Sequence, residues 1–452
     1  MDISKLVTDS LMSREELLAY MTATFATDLE KIKEVVLYAD NQVPDTDSLT
    51  YIPHHRRKIY LSKDGVIHIA PSEGLLRVEH LQLQVECLAS LLKKPIPCKV
   101  IGKYIFSEKA QEFIDLLDAK RLQGRSVDGL VIGSLWNINY IINRRLHSAQ
   151  MQSVFKAMDK KELGEYIEFR ARQSALEQAS LTDGIILNKS ELATFREGAI
   201  PSKDEQDIVN SLYEKMASKK IARYRDNFLN NDEAKEYAAL DFIFFKDLVE
   251  NTQIFDSTLV SEESAIYSDK GITYQLISLE NGMLLNIGWI HPELLGELVR
   301  QLHNRYNLKS LHMYGKCGAI GDAPLGSIVT PWQTQWNDHM IPIQNKLQNL
   351  DGTTPANFCC VPSPLIETMS WGKLMRSRDV ECVEMELYEV GRNLSQSIES
   401  FIVYYISDRP FDNYKIGQRW TFLEQKLKCT NILVDSIFNL YTHRHPQISP
   451  GP

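Results

Sequence analysis

Apolar residues recur at strand-like spacings in the first 150 positions. Residues 58–71, KIYLSKDGVIHIAP, alternate apolar and polar side chains around Asp64-Gly65, a pair typical of a β-hairpin turn. Short apolar runs that contain or meet a glycine, at residues 98–105 and 127–134, predict buried strands. These segments predict at least one β-sheet in this part of the chain.

Helical spacing appears between those strands. Ser13 and Glu16 form a capping box before one predicted helix, and residues 73–92 place apolar side chains on one helical face. Strands and helices together predict an α/β domain over residues 1–150. Residues 151–250 are largely helical in pattern and rich in charge, and we expect them to form a connecting region.

The pattern returns to strands alternating with a helix over residues 251–445. Two predicted strands, 272–279 and 282–290, are joined by a turn, and Pro292 opens the helix that follows. The next predicted strand covers residues 308–315. A strand, a helix and a strand in this order favour a parallel sheet, and in such sheets ligands bind at the carboxyl ends of the strands.

The composition narrows the class of protein. The chain has 452 residues, a net charge of −9 and 24% charged residues, which is typical of a globular protein of several domains with no nucleic-acid partner. No apolar run approaches the roughly 20 residues of a membrane span, and the first residues are not typical of a signal peptide. Seven cysteines without metal-ligand spacing favour a reducing compartment. We therefore predict a cytoplasmic protein without a metal or membrane partner.

Four short motifs follow one another in the last third of the chain. They are GKCGA (residues 315–319), GSIVTP (326–331), VEME (383–386) and a Ser-Asp pair (407–408) at the end of an apolar run. Each has an ordinary structural explanation. The glycines would form a tight turn after a strand, Glu386 would be solvated on a helix that begins near Val383, and Asp408 would cap a loop.

In this order and at this spacing, however, the four motifs resemble those of the nucleoside phosphorylase and nucleosidase superfamily. In motif detail the series is closest to the AMP nucleosidases. The resemblance is confined to residues 251–445. It implies an α/β/α domain with a central mixed sheet, assembly into a homo-oligomer, and chemistry that needs no metal or cofactor.

The resemblance also implies roles for individual residues. Breaking a ribose–base bond builds positive charge on the sugar and negative charge on the leaving base. Glu386 would bind the ribose hydroxyls, Met385 would pack against the sugar, and Asp408 would protonate or hydrogen-bond a purine at N7. The apolar run before Asp408 would give that acid a secluded setting. Phe358 would either stack on the base or belong to the core.

Basic residues occupy positions where an anion would bind. Lys316 stands where the phosphorylases of the family usually have Ser or Thr, and Arg409 follows the Ser-Asp pair, as a lysine does in the AMP nucleosidases. Either residue would help to hold an anion. The remaining expected substrate-binding residues are those that surround these motifs: Gly315, Cys317, Gly318, Glu384 and Ser407.

The sequence departs from the family at two places. It lacks the phosphorylase loop that carries a phosphate-binding arginine, and the glutamate that activates water is matched only by position, at Glu250, Glu262 or Glu263. We therefore expect hydrolysis of a purine nucleotide or nucleoside to base and ribose or ribose phosphate. The alternatives are phosphorolysis, with phosphate as a second small-molecule partner, and a non-catalytic nucleotide-binding regulatory or scaffold module.

Overall fold

A computed structural model describes residues 3–39, 48–52, 57–71, 78–103, 105–133, 266–270, 272–288, 290–411 and 422–442. The chain divides into two compact units. The first comprises residues 1–133, 269–274 and 287–416, and the second comprises 134–268, 275–286 and 417–452. The domain boundaries predicted near residues 150, 250 and 445 lie outside the described residues and stay predictions. In the ranges given, no helix is long and apolar enough to cross a membrane.

The described elements are named in chain order. The α-helices are α1 Ile3–Thr8, α2 Arg14–Phe25, α3 Val78–Leu92, α4 Phe106–Leu117, α5 Pro292–Tyr306, α6 Met369–Arg376, α7 Leu387–Asn393 and α8 Phe422–Tyr441. The strands are β1 Glu34–Tyr38, β2 Thr50–Ile52, β3 Arg57–Leu61, β4 Val66–Pro71, β5 Cys98–Ile101, β6 Gly129–Ile132, β7 Ile266–Asp269, β8 Ile272–Leu279, β9 Gly282–Ile287, β10 Ser310–Ala319, β11 Ile328–Trp336, β12 His339–Pro342, β13 Thr354–Cys360, β14 Cys382–Glu384 and β15 Glu399–Asp408.

A five-stranded sheet forms the N-terminal part of the first unit, in the order β2-β3-β4-β1-β5. The predicted hairpin is confirmed: β3 and β4 are antiparallel, and Gly65 in their turn has a φ of 85°, which favours glycine. The capping box of Ser13 and Glu16 is also confirmed at the start of α2. Apolar side chains of α2 and α3 pack with those of β1 and β4 into one buried cluster, so this region has its own core.

A second sheet of the first unit has the order β12-β11-β13-β14-β10-β6, and β15 pairs with both β10 and β11. The sheet is mixed, as the resemblance implied, rather than parallel, as strand order alone predicted. β10 is parallel to β6 and β15 but antiparallel to β14. One reason is local: only two residues connect β11 to β12, and so short a turn can join only antiparallel strands.

The expected tight turn at residues 315–319 is wrong. These residues continue β10, and their backbone pairs with β15 from Gly315↔Tyr404 to Gly318↔Asp408. β15 on one side, and β14 at Gly318 and Ala319 on the other, pair with backbone groups that a turn would have left to solvent or ligand. The expected helix start is also wrong, because Val383 lies in β14 and α7 begins at Leu387.

Strands β7, β8 and β9, most of whose residues belong to the second unit, are hydrogen-bonded neighbours in that order. The turn between β8 and β9 is the one predicted from sequence, and Asn281 N–H in it donates to the Tyr441 carbonyl at the end of α8. The buried side of α8 carries Cys429, Leu433 and Ile437.

Candidate functional site

The four motifs lie on strands that pair with one another. Gly318 of β10 is the register partner of Val383 on β14 and of Asp408 on β15. The third motif strand, β11, pairs with β15 through Ile328↔Tyr405. β10 and β15 are parallel and end together, so Gly318 and Asp408 meet at their carboxyl ends, where α/β sheets bind ligands.

Asp408 is half-buried and its orientation is fixed by two neighbours. The Ser407 hydroxyl lies 2.5 Å from Asp408 Oδ1 and 3.3 Å from the Cys317 carbonyl oxygen, and these acceptors share its one proton. Gly318 leaves room for the carboxylate: a Cβ at this position would lie 3.4 Å from Asp408 Oδ2 and 3.0 Å from a methyl group of Val383. A larger residue at 318 would therefore press on Asp408.

The buried carboxylate of Glu384 accepts several hydrogen bonds from neighbouring groups. Its carboxylate accepts the N–H groups of Glu386 at 2.5 Å and Leu387 at 2.8 Å, and it also accepts from the Cys360 thiol and, at 3.4 Å, from the Tyr404 hydroxyl. Burial raises the pKa of Glu384, and the hydrogen bonds oppose that rise. The structure thus places this expected substrate-binding residue beneath α7, where it satisfies free N–H groups of the helix start.

Glu386 and Met385 follow directly from this anchor. Glu386 is half-buried at the residue that precedes α7, and Met385 packs against an apolar cluster that includes Val383 and Phe411. Because Glu384 holds the Glu386 N–H, it fixes the backbone from which the Glu386 carboxylate projects. Glu384 is therefore a positioning residue for Glu386.

The residues expected to meet an anion lie on β10 and just after β15. Lys316 is exposed, opposite Tyr405 in the register, and Gly315 is buried beside it. Arg409 is partly exposed, with Nη2 3.9 Å from Asp322 Oδ1. Cys317 is buried, and burial raises the pKa of its thiol well above the usual value, so the thiol is neutral at physiological pH.

Phe358 is not brought to this site. It is fully buried on β13, and its ring packs against that of Tyr404 at a centroid distance of 5.1 Å. The sequence left open whether Phe358 stacks on a base or belongs to the core, and its buried position fits a core residue. Glu250, Glu262 and Glu263, the candidates for activating water, lie outside the described residues.

No protein-family model and no curated protein matches this sequence. Solved structures match part of it. A 5′-methylthioadenosine/S-adenosylhomocysteine nucleosidase from Campylobacter jejuni covers 39% of this chain and 90% of its own, at 13% identity and a TM-score of 0.35. A futalosine hydrolase mutant from Helicobacter pylori covers 39% and 88%, at 10% identity and a TM-score of 0.32.

The similarity concerns part of the chain, and the matched structures are nucleosidases and a hydrolase, the kind of protein that the motif series resembles. Identities of 10% and 13% with TM-scores of 0.32 and 0.35 assign no activity, substrate or assembly to this chain. Within the described ranges, no group of three His, Cys, Asp or Glu side chains is arranged to hold a metal ion.

One titratable residue near Asp408 carries no motif that would mark it in the sequence. Glu367 lies between β13 and α6, and burial raises the pKa of its carboxyl to about 8, with the charge of Asp408 adding to the rise. In the sequence, Glu367 stands out only as a single carboxylate at the end of a largely apolar run that contains two prolines, CCVPSPLIE (residues 359–367). Sequence alone could not place this run beside Asp408.

Proposed function

We propose that this protein hydrolyses the N-glycosidic bond of a purine nucleotide or nucleoside, releasing free base and ribose or ribose phosphate. The observation that carries the proposal is the pairing of Gly318 with both Val383 and Asp408. It puts the strand that leads to Glu386 and the strand that ends in Asp408 on the two sides of β10. One carboxylate, Glu386, thus follows the strand on one side of β10, and the other, Asp408, ends the strand on the opposite side.

Each carboxylate has a task in the cleavage. As the bond from the sugar to the base breaks, positive charge builds on the ribose, and Glu386 stabilises it through the ribose hydroxyls. The electron pair of the bond moves into the base, where Asp408 hydrogen-bonds or protonates N7. The Ser407 hydroxyl holds the Asp408 carboxylate in one orientation. Lys316 or Arg409 binds the 5′-phosphate when the substrate is a nucleotide.

Water is the proposed nucleophile. The sequence lacks the arginine loop that would bind a phosphate nucleophile, and a lysine stands where phosphorylases of the resembled family have Ser or Thr. Phosphorolysis and ligand binding without turnover are the alternatives. A homo-oligomeric assembly and a cytoplasmic location also stay predictions.

A chromatographic assay for free base tests the proposal. The full chain is incubated with AMP, ATP, adenosine, inosine, guanosine and uridine, each with and without phosphate. We expect a purine to be released without phosphate. Asp408→Asn should lower this release by about 100-fold or more, because a positioned carboxyl that hydrogen-bonds or protonates the leaving base contributes roughly that much. Asp338→Asn, at a position with 84% side-chain exposure, is the matched control and should keep full activity.

The outcomes separate the alternatives. Release that depends on phosphate would change the assignment to a phosphorylase. Absence of release from every substrate, with thermal stabilisation by one of them, would favour the binding module. Full activity in Asp408→Asn would contradict the role given to Asp408.

A further inference from the structure

Glu367 is the titratable group that the proposed mechanism leaves unused. Its carboxyl makes no hydrogen bond or ion pair within the described part of the chain, and Asp408 is the charged group close enough to affect it. Cys359 at the end of β13 lies near enough for Glu367 to contribute to the raised pKa of its thiol, after burial and Glu384. Glu367 is half-buried, and a carboxyl in such a setting that makes no hydrogen bond to the described residues is a candidate to bind a ligand.

Ring and backbone contacts independently bring the segment that follows Asp408 against the helix that follows Glu367. Phe411, three residues after Asp408, stacks against Trp371 of α6 with ring centroids 6.0 Å apart. Gly372 lies so close to the Phe411 ring that a Cβ would come within 2.2 Å of it. Glu367 is four residues before Trp371. The segment after Asp408 is therefore packed onto the helix that follows Glu367.

Other residues fix the loop that carries Glu367, between β13 and α6. Ser363 Oγ lies 2.7 Å from His80 Nδ1 of α3, and Thr368 forms a β-bridge with Ser10. The Asp9 carboxylate accepts the Ser370 N–H at 2.9 Å. These contacts lie on both sides of Glu367 in sequence, so the carboxyl is not needed to hold the loop in place.

We propose that Glu367 is a second acid of the candidate site, which faces the leaving base beside Asp408 and supplies the proton that the base takes up. This inference rests on the proposed function. The Asp408 carboxylate then accepts a hydrogen bond from an N–H group of the protonated base, and it does not itself supply the proton.

The proton balance closes without a further reactant. The bond from C1′ to the base nitrogen breaks, its electron pair moves into the base, and the base takes the Glu367 proton. A water oxygen forms a bond to C1′ and releases a proton, which returns to the Glu367 carboxylate. The net reaction adds one water molecule across the glycosidic bond.

The pH dependence of the reaction follows from the same arrangement. The titratable and charged groups on the elements packed around the loop include Asp408 at the end of β15, Arg376 on α6, Cys359 on β13, His80 on α3 and Asp9 after α1. Asp408 is the one of these that contributes to the raised pKa of Glu367, which is about 8. Base release should therefore fall as the pH rises through about 8, where the acid loses its proton.

The test compares Glu367→Gln with the wild type on two leaving groups. One substrate is the nucleoside that the wild type cleaves fastest, and the other is p-nitrophenyl β-D-ribofuranoside, whose leaving group needs no proton. At pH 7 we expect Glu367→Gln to lower purine release by about 100-fold and p-nitrophenol release by less than about threefold. The alkaline fall in kcat/KM should be absent from the variant. Glu108→Gln, an exposed position on α4, should match the wild type throughout.

Equal losses on both leaving groups, or no loss on either, would overturn the inference while leaving the proposed function intact. If the wild type cleaves the nucleoside but not the p-nitrophenyl riboside, the test is the comparison of the pH profiles of nucleoside cleavage by the wild type and by Glu367→Gln. If the wild type cleaves nothing, the proposed function fails, and thermal stabilisation by free adenine becomes the readout. If adenine stabilises the wild type but not Glu367→Gln, Glu367 is still a residue that faces the base. If adenine stabilises both proteins, or does not stabilise the wild type, this role of Glu367 is overturned as well.

Discussion

Two carboxyl groups whose pKa values are raised by burial, Glu384 and Glu367, have opposite surroundings. Glu384 accepts hydrogen bonds from two backbone N–H groups, a thiol and a phenol. Glu367 has the nearby charge of Asp408 and no hydrogen bond in the described part of the chain. An acid whose oxygens accept hydrogen bonds from the protein stabilises the fold. An acid that lacks such bonds and lies beside a second carboxylate is available to a ligand. Burial alone would not distinguish these roles.

The largest expected effect is on stability at Glu384. Replacement by Ala leaves two buried N–H groups without their acceptor and opens a cavity, so we expect a loss of about 3 kcal/mol in the free energy of unfolding. Glu367→Ala should change it by less than about 1 kcal/mol at pH 5, because no hydrogen bond is lost. Denaturant unfolding of both variants measures the contrast. Similar losses would show that the two carboxyls do not differ in structural role.

The next effect concerns the pH dependence of stability. The folded pKa of Glu367, about 8, lies above its ordinary value of 4.5, so the folded chain binds an extra proton between these limits. The contribution of Glu367 to the free energy of unfolding is thus fully present below pH 4.5 and is lost as the pH rises through 8. Glu367→Gln removes this loss. We expect the variant to gain about 2 kcal/mol over the wild type between pH 5 and pH 9, since partial solvent access reduces the full linkage value of about 5 kcal/mol.

Thermal melts of the wild type and Glu367→Gln at pH 5, 7 and 9 provide this measurement. Glu108→Gln supplies the control, because the same chemical change at an exposed position should leave the pH dependence unaltered. A difference that is constant from pH 5 to pH 9 would contradict the raised pKa of Glu367.

The smallest effect tests the anchoring of the Glu367 loop. The Ser363 hydroxyl contacts His80 and accepts the Leu365 N–H at 3.2 Å. Ser363→Ala should lower the free energy of unfolding by about 1 kcal/mol. It should also lower base release several-fold, because Glu367 is then less well positioned. Ser377→Ala, an exposed serine at the end of α6, should change neither quantity. Unchanged activity in Ser363→Ala would show that the N-terminal region does not position the site.

Local patterns predicted the elements whose causes are local. The capping box at Ser13, the hairpin turn at Gly65 and the helix start at Pro292 each depend on residues a few positions apart. The motif order in the last third likewise predicted a mixed-sheet fold of the nucleosidase type and drew attention to Asp408 and Glu386. The pairing of β14 and β15 with β10 accounts for the proximity of both residues to one strand.

Tertiary structure decided what depends on distant partners. Residues 315–319 form a strand rather than a turn because β15, about ninety positions later, satisfies their backbone. Glu384 serves the start of α7 because Cys360 and Tyr404 enclose it from two other strands. Glu367 is a candidate acid because folding brings it within electrostatic range of Asp408 and packs Trp371, four residues on, against Phe411. The sequence by itself determined which residues are capable of the chemistry, and long-range packing determined which carboxyls are satisfied and which are left for a substrate.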